Sequence, residues 1–201
     1  MNSFKTRLAA LKRSKRFLVR GESGALAREL EDMLEELKRE VSEPRAGLDA
    51  LAAFYRADKA VFERCDDSNG YVGDVFREIA PELFSFYAKQ YDDKKWLADL
   101  IFKLYADDDN GVRYCLLSRM SEFVPDPLLR KTVDKFWALP EQSENSSFGG
   151  NIHTSIAIKS LAVQLKDPVM LERACRTFAL REGLGTAAHL EIATLHLKCG
   201  K

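Results

Sequence analysis

Apolar residues recur at steps of three and four along almost the whole chain, and this spacing constrains the fold more than any other feature. Leu26, Leu30, Met33 and Leu37 form one such series. The spacing places apolar side chains along one side of a helix, where they pack against a neighbouring helix. No segment alternates apolar and polar residues for long enough to indicate a strand. The sequence therefore predicts an all-α protein.

Proline positions predict several helix boundaries. Ser42-Glu43-Pro44 predicts a helix start with Ser42 as the cap, because proline is tolerated in the first turn of a helix. Asp126-Pro127 and Asp167-Pro168 predict two further starts. Pro81 lies inside a helical pattern, so we expect it to kink or split that helix.

Two pairs of segments recur at a spacing of 41 residues. Asp66-Asp67-Ser68-Asn69-Gly70 matches Asp107-Asp108-Asp109-Asn110-Gly111, and Asp126-Pro127 matches Asp167-Pro168. Stacked helix pairs of the HEAT kind have a period of this size. The recurrence predicts a short α-solenoid-like stack (HEAT/TPR-like) of antiparallel helix pairs with a C-terminal helical extension, and a general helical bundle is the alternative.

One polar segment interrupts the helical pattern. Residues 140–151 contain serine, asparagine and glycine and are long for a connection between helices. We interpret the chain as a helical-repeat body (1–139), a polar loop (140–151) and C-terminal helices (152–201) packed on as part of one domain. A mobile functional loop is the other interpretation of this segment.

Composition excludes some classes of protein. The 31 lysines and arginines balance the 31 aspartates and glutamates, which argues against a strongly basic nucleic-acid coat. The four cysteines are dispersed, as is typical of reduced thiols in a cytoplasmic protein. No secretory signal is evident at the N-terminus, and no window reaches the roughly 20 apolar residues of a membrane span. We expect a soluble protein.

The two acidic turns have two interpretations. Aspartate and asparagine side chains cap helices, and glycine adopts the positive φ of a tight turn. Alternatively, neighbouring repeats would place both turns on one edge and create a negative rim for a basic partner. The candidate partner-binding residues are Asp66, Asp67, Asn69, Asp107, Asp108 and Asp109. Neither turn has the ligand pattern of a calcium loop, because the first and twelfth positions carry no carboxylate.

The first twenty residues contain basic residues and no acidic ones. We expect a helix that pairs with the acidic helix after it, with Leu8, Leu11 and Leu18 inside. A phosphate-binding arm is the alternative, because clustered lysine and arginine neutralise backbone phosphates. Its candidate residues are Lys12, Arg13, Lys15, Arg16 and Arg20.

The remaining chemistry-bearing residues form no catalytic or metal signature. His189, His196 and Cys199 have a spacing that one helix could present on one side, but a zinc site needs a further ligand pair. Phe84, Phe86 and Tyr87 fall around one helix, so at least one of them should point outward and serve as an interface anchor.

Several segments resemble an uncharacterised bacterial family of helical-repeat proteins. They are Lys12-Arg13-Ser14-Lys15-Arg16-Phe17, Ala25 to Leu30, Val61 to Gly70, and Asp108-Asp109-Asn110-Gly111. The resemblance covers roughly residues 12–140. Family members are usually longer, with further helical repeats. Because that family is a domain of unknown function, the resemblance implies the fold and no activity.

The sequence favours a protein–protein interaction module, acting as a scaffold, adaptor or inhibitor with an unidentified protein partner. The alternative is a protein that binds nucleic acid, or acts on a nucleoprotein complex, through the basic N-terminal helix. We expect no enzyme activity, no cofactor and no membrane partner.

Overall fold

The computed structural model describes residues 2–139, 150–178 and 185–200, and it is all-helical in this part of the chain. The helices are α1 (Asn2–Arg13), α2 (Ser23–Glu40), α3 (Pro44–Tyr55), α4 (Asp58–Phe62), α5 (Tyr71–Asp74), α6 (Ala80–Gln90), α7 (Lys94–Ala106), α8 (Tyr114–Leu117), α9 (Asp126–Trp137), α10 (Gly150–Gln164), α11 (Pro168–Thr177) and α12 (Thr186–Lys198). A π-helical turn spans Val75–Ile79, and a 3₁₀ turn spans Met120–Glu122.

The chain forms two compact units, residues 1–116 and residues 117–201. This division precedes the loop predicted at 140–151. Residues 140–149 lie outside the described residues, and α10 begins at Gly150. The predicted domain boundary at the loop therefore stays a prediction.

Helices α1 and α2 pack together in the first unit, as the charge pattern predicts. Leu8 and Leu11 of α1 are buried. Arg7 Nη1 lies 3.2 Å from Glu36 Oε2, so a basic residue of α1 pairs with an acidic residue of α2. Leu18 is half-buried and lies beyond the end of α1.

Aromatic side chains fill the centre of the first unit. The Phe54 and Phe76 rings stack with centroids 4.6 Å apart. The Tyr87 hydroxyl is buried and donates to the Val41 carbonyl at 2.7 Å. Gly47 allows this ring to approach α3, because a Cβ there would lie 2.6 Å from the Tyr87 ring. The glycine thus permits a close contact between α3 and α6.

Pro81 coincides with a change of helix type, but the helical conformation continues from Tyr71 to Gln90, so the predicted split does not occur. A π-helical turn precedes α6, and Pro81 lies in the first turn of α6. Proline has no N–H to donate to the preceding turn. The Phe76 carbonyl in the π-helical turn accepts the Tyr55 hydroxyl at 3.1 Å. A side chain thus satisfies a backbone acceptor at the irregularity.

The cap of α3 is Glu43 and not Ser42, so that prediction was wrong by one residue. The Glu43 carboxylate accepts the backbone N–H groups of Arg45, at 2.9 Å, and of Ala46. A carboxylate at this end also interacts favourably with the helix dipole. The predicted start at Pro44 is confirmed.

The second unit contains α9 to α12. Ala162, Leu171, Cys175, Ile192 and Leu195 form its buried cluster. Asp167 caps α11, accepting the Met170 N–H at 3.0 Å, and also pairs with Arg130 at 2.8 Å. Both predicted Asp-Pro helix starts are confirmed, although Asp126 itself makes no capping hydrogen bond among the described residues.

The two glycine turns have the backbone conformation that the sequence predicts. Gly70 has a φ of +81° and Gly111 a φ of +67°. Among the described residues, no helix is long and apolar enough to cross a membrane.

The positive φ of Gly111 generates a stability prediction. Gly111→Ala should lower the unfolding free energy by about 1 kcal/mol, because a Cβ is disfavoured in the left-handed region. Gly21→Ala is the matched control, since a Cβ at either position meets open space and only Gly111 has a positive φ. Urea unfolding measures the unfolding free energy of both variants. Equal effects of the two substitutions would contradict the assigned turn.

Candidate functional site

The first acidic turn is tied to the backbone that follows it. Asp67 accepts the N–H groups of Val72 and Gly73 at 2.9 and 2.8 Å, at the start of α5. Asp66 accepts the Ser68 N–H at 3.1 Å. Hydrogen bonds from Ser68 hold the pKa of Asp66 below its usual value, and the charge of Arg20 acts in the same direction.

Asn69 connects this turn to the start of α2. Its Oδ1 accepts the Ser23 hydroxyl at 3.1 Å, and its Nδ2 donates to the Arg20 carbonyl at 3.4 Å. Ser23 is buried. The Ser23 hydroxyl also lies 2.9 Å from the Arg20 carbonyl, so Asn69, Ser23 and Arg20 form one hydrogen-bonded group that connects the turn to the basic N-terminal segment.

The second acidic turn has a similar arrangement. Asp108 is buried and accepts the N–H groups of Val112 and Arg113 at 3.1 and 2.8 Å. Asp107 and Asp109 are exposed. These contacts support the interpretation of the acidic turn as a cap for the backbone that follows it. Whether the acidic residues also bind a partner stays a prediction.

A buried ion pair lies beside the second turn. Arg113 Nη2 is 2.7 Å from Asp58 Oδ1, and the exposed fractions of the two side chains are only 6% and 1%. Asn110 also donates to Asp58, at 3.3 Å. Sequence reasoning missed this pair, because 55 residues separate its members and neither belongs to a motif.

The basic N-terminal candidates do not lie on one helix, which corrects the expectation of a basic helix. Helix α1 ends at Arg13, so Lys15, Arg16 and Arg20 follow it in a non-helical segment. The segment leaves the helix because its backbone pairs elsewhere. Leu18 N–H donates to the Arg64 carbonyl at 2.6 Å, and Asp66 N–H donates to the Leu18 carbonyl at 2.9 Å.

This pairing brings the basic segment beside the first acidic turn. All five basic candidates, Lys12, Arg13, Lys15, Arg16 and Arg20, are exposed. Arg16 forms an ion pair with Glu22. Phe17 is 57% exposed between these charges, so this segment presents an aromatic side chain beside its basic ones.

A groove between α2 and α6 combines exposed apolar side chains with charged ones. Its volume is about 350 Å³, and it is lined by Leu34, Glu35, Lys38, Ile79, Glu82, Leu83 and Phe86. Phe86 is 46% exposed, whereas Phe84 and Tyr87 are buried. The prediction that at least one of these three aromatic residues points outward is confirmed.

The cysteines are free thiols, and three of them are poor nucleophiles. Burial raises the pKa of Cys115 to about 11 and also raises the pKa of Cys65 and Cys175. The thiolate is the reactive form. His189 and His196 lie on α12, and Cys199 follows its end. Within the described ranges, no three histidine, cysteine or acidic side chains form a group that could bind a metal ion.

The chain belongs to a family of unknown function (DUF6880), whose model matches residues 1–174. The resemblance to an uncharacterised family is thereby confirmed. No curated protein and no solved structure matches the chain. The family membership assigns no activity, so function has to be inferred from the surfaces described above.

The contacts of Asp108 generate a test of the capping interpretation. Asp108→Ala should lower the unfolding free energy by about 2 kcal/mol, because two backbone N–H groups would lose their acceptor in a buried place. Asp109→Ala, one residue on and exposed, should change it by less than about 0.5 kcal/mol. Chemical denaturation compares the two variants. A stable Asp108→Ala protein would show that the turn does not depend on this cap.

Proposed function

We propose that this protein is a protein–protein interaction module that binds a partner at the groove between α2 and α6. The observation that carries the proposal is Phe86, a large aromatic side chain left 46% exposed at the edge of a cleft. Aromatic residues in such positions contribute most of the binding energy at many interfaces.

The groove has the composition of a small interface. Leu34 and Leu83 are buried and provide an apolar floor, while Ile79 and Phe86 remain partly exposed above it. Charged side chains surround this apolar centre, as at other protein interfaces. Lys38 Nζ lies 5.9 Å from the centroid of the Phe86 ring, which orients the ring by a cation–π contact.

The charges around the groove indicate the partner's chemistry. Glu35 and Glu82 contribute two carboxylates, against one ammonium group from Lys38. A partner segment with an apolar side chain flanked by basic residues would match this surface. An amphipathic helix is the simplest such segment, because its apolar face fits a groove between two helices.

The proposal also covers role, architecture and compartment. The protein acts in the cytoplasm as a scaffold, adaptor or inhibitor, and it is built as a solenoid-like stack of helix pairs. Free thiols support the cytoplasmic assignment. The two glycine turns 41 residues apart support the repeat, because both have a positive φ. The acidic residues Asp107 and Asp109 are candidates for additional contacts with a basic partner.

The test compares two half-exposed aromatic residues of the first unit. Tagged wild-type protein, Phe86→Ser and Tyr114→Ser are used to capture partners from nuclease-treated lysate of the cells that produce the protein. Tyr114 is 41% exposed and lies outside the groove, so it is the matched control. We expect a stoichiometric partner with wild type and Tyr114→Ser, and at least about tenfold less with Phe86→Ser.

The stability of the variants is measured alongside. Both substitutions should change the unfolding free energy by less than about 1 kcal/mol, because the side chains are partly exposed. Capture that is equal for the two variants, or that disappears with nuclease, would contradict binding at the groove.

Single-stranded nucleic-acid binding is the second candidate, and the exposed Phe17 favours it. Base-binding surfaces combine basic residues with aromatic side chains that stack on bases. Here Phe17 lies between Lys15 and Arg16 on one side and Arg20 on the other. The overall charge balance of the chain favours the first candidate.

Fluorescence anisotropy with a labelled single-stranded oligonucleotide tests this candidate. If it is correct, Phe17→Ser should weaken binding about fivefold or more, and affinity should fall steeply between low and physiological salt. Replacing Lys12 and Lys15 with glutamine should also weaken binding, whereas replacing the exposed Lys95 and Lys103 of α7 should not. Salt-independent binding, or no binding, would exclude this candidate.

A further inference from the structure

A second cavity lies in the first unit, between the end of α1 and the beginning of α2. Its volume is about 520 Å³, which is within the range of sites for small molecules. Its lining includes Leu11, Leu18 and Leu26, which are apolar, and the charged side chains of Glu22, Glu29 and Arg64. It has no residue in common with the α2–α6 groove.

Arg64 is the unusual member of this lining. Its side chain is only 9% exposed, and its Nη1 donates to the Leu11 carbonyl at 2.6 Å. Its Nε is buried and has no hydrogen-bond partner among the described residues. No carboxylate in the described part of the chain forms an ion pair with it. A buried guanidinium without an anionic partner is costly.

Arg113 provides the comparison. It is also buried, and its Nε likewise has no hydrogen-bond partner within the described ranges, but its Nη2 forms an ion pair with Asp58 at 2.7 Å. Its Nη1 donates to the carbonyls of Leu104 and Asp107. The same unit therefore contains one buried arginine that is neutralised by the protein and one, facing a cavity, that is not.

The remaining donors of Arg64 indicate how it can contact an anion. Leu11 occupies Nη1 and Nε is enclosed, so Nη2 is the donor left for an anion in the cavity, and it can donate to one oxygen of a carboxylate. Glu22 already accepts from Arg16 and from the Val19 N–H at 3.2 Å. Arg16 also lines the cavity and neutralises Glu22, which leaves the carboxylate of Glu29 to disfavour a multiply charged anion.

We propose that this cavity binds a small monocarboxylate with an apolar body. Its carboxylate pairs with Arg64, and its apolar part contacts Leu11, Leu18 and Leu26. Such a ligand neutralises the buried charge and covers the apolar wall at the same time. The proposal is independent of partner binding at the α2–α6 groove.

Hexanoate is a suitable probe, because it carries one carboxylate on a short apolar chain. The ligand is titrated into ¹⁵N-labelled full-length protein, and the Arg64 Nε–H signal and the backbone amide of Leu18 are followed by NMR. We expect saturable shifts at both positions. Hexylammonium, with the same apolar chain and the opposite charge, and inorganic phosphate should each bind at least about tenfold more weakly.

Two variants and a control locate the binding. Ala25→Leu fills the cavity while leaving Arg64 in place, and it should weaken hexanoate binding at least about tenfold. Arg64→Met should also weaken hexanoate binding at least about tenfold. Binding to this variant is measured at the Leu18 backbone amide, because the variant has no Arg64 Nε–H signal. Ala106→Leu, at an exposed alanine outside the cavity, should bind like wild type.

Four results would overturn the proposal. One is the absence of saturable shifts with hexanoate up to about 20 mM, since weaker binding would not be specific. Another is equal binding of hexylammonium, which would indicate contact with the apolar wall alone. Unchanged binding by Ala25→Leu would place the site elsewhere, and tighter binding of phosphate would exclude the carboxylate assignment.

Discussion

The ion pair between Arg113 and Asp58 is the interaction on which much of the first unit depends. Both side chains are buried, and the pair connects the start of α4 to the turn that follows α7. Arg113 also donates to the Leu104 carbonyl at 3.0 Å, at the end of α7. Removing either partner would leave an uncompensated charge in the interior. The pair thus fixes the second acidic turn, where Asp108 caps the backbone that follows.

Local patterns in the sequence predict local structure well here. The apolar spacing predicts the helices, and Asn-Gly predicts the positive φ of Gly70 and Gly111. Pro81 predicts an irregularity, which occurs as the π-helical turn before α6 and not as a split. Each of these depends on residues close together in the chain. The outward position of Phe86 also follows from helical spacing, because Phe84 and Tyr87 cannot share its face.

Contacts between distant segments were not predictable in this way. Leu18 pairs with the backbone around Cys65, which ends the basic helix early and places Arg20 beside Asp66. Nothing in the composition of residues 14–20 indicates that partner. The ion pair of Arg113 and the buried position of Arg64 also depend on long-range packing. The capping interpretation of the acidic turns follows from local sequence, whereas the two buried arginines do not.

The two buried arginines differ in role under our proposal: Arg113 stabilises the fold, and Arg64 binds a ligand in the cavity that it lines. Urea unfolding of Arg113→Met and Arg64→Met, without added anions, tests this most directly. We predict that Arg113→Met lowers the unfolding free energy by about 3–5 kcal/mol, because it leaves Asp58 buried and unpaired. Arg64→Met should lower it by about 1 kcal/mol or less, since the lost bond to Leu11 is offset by removal of an unpaired buried charge. A loss as large for Arg64→Met as for Arg113→Met would contradict the claim and make Arg64 a structural residue.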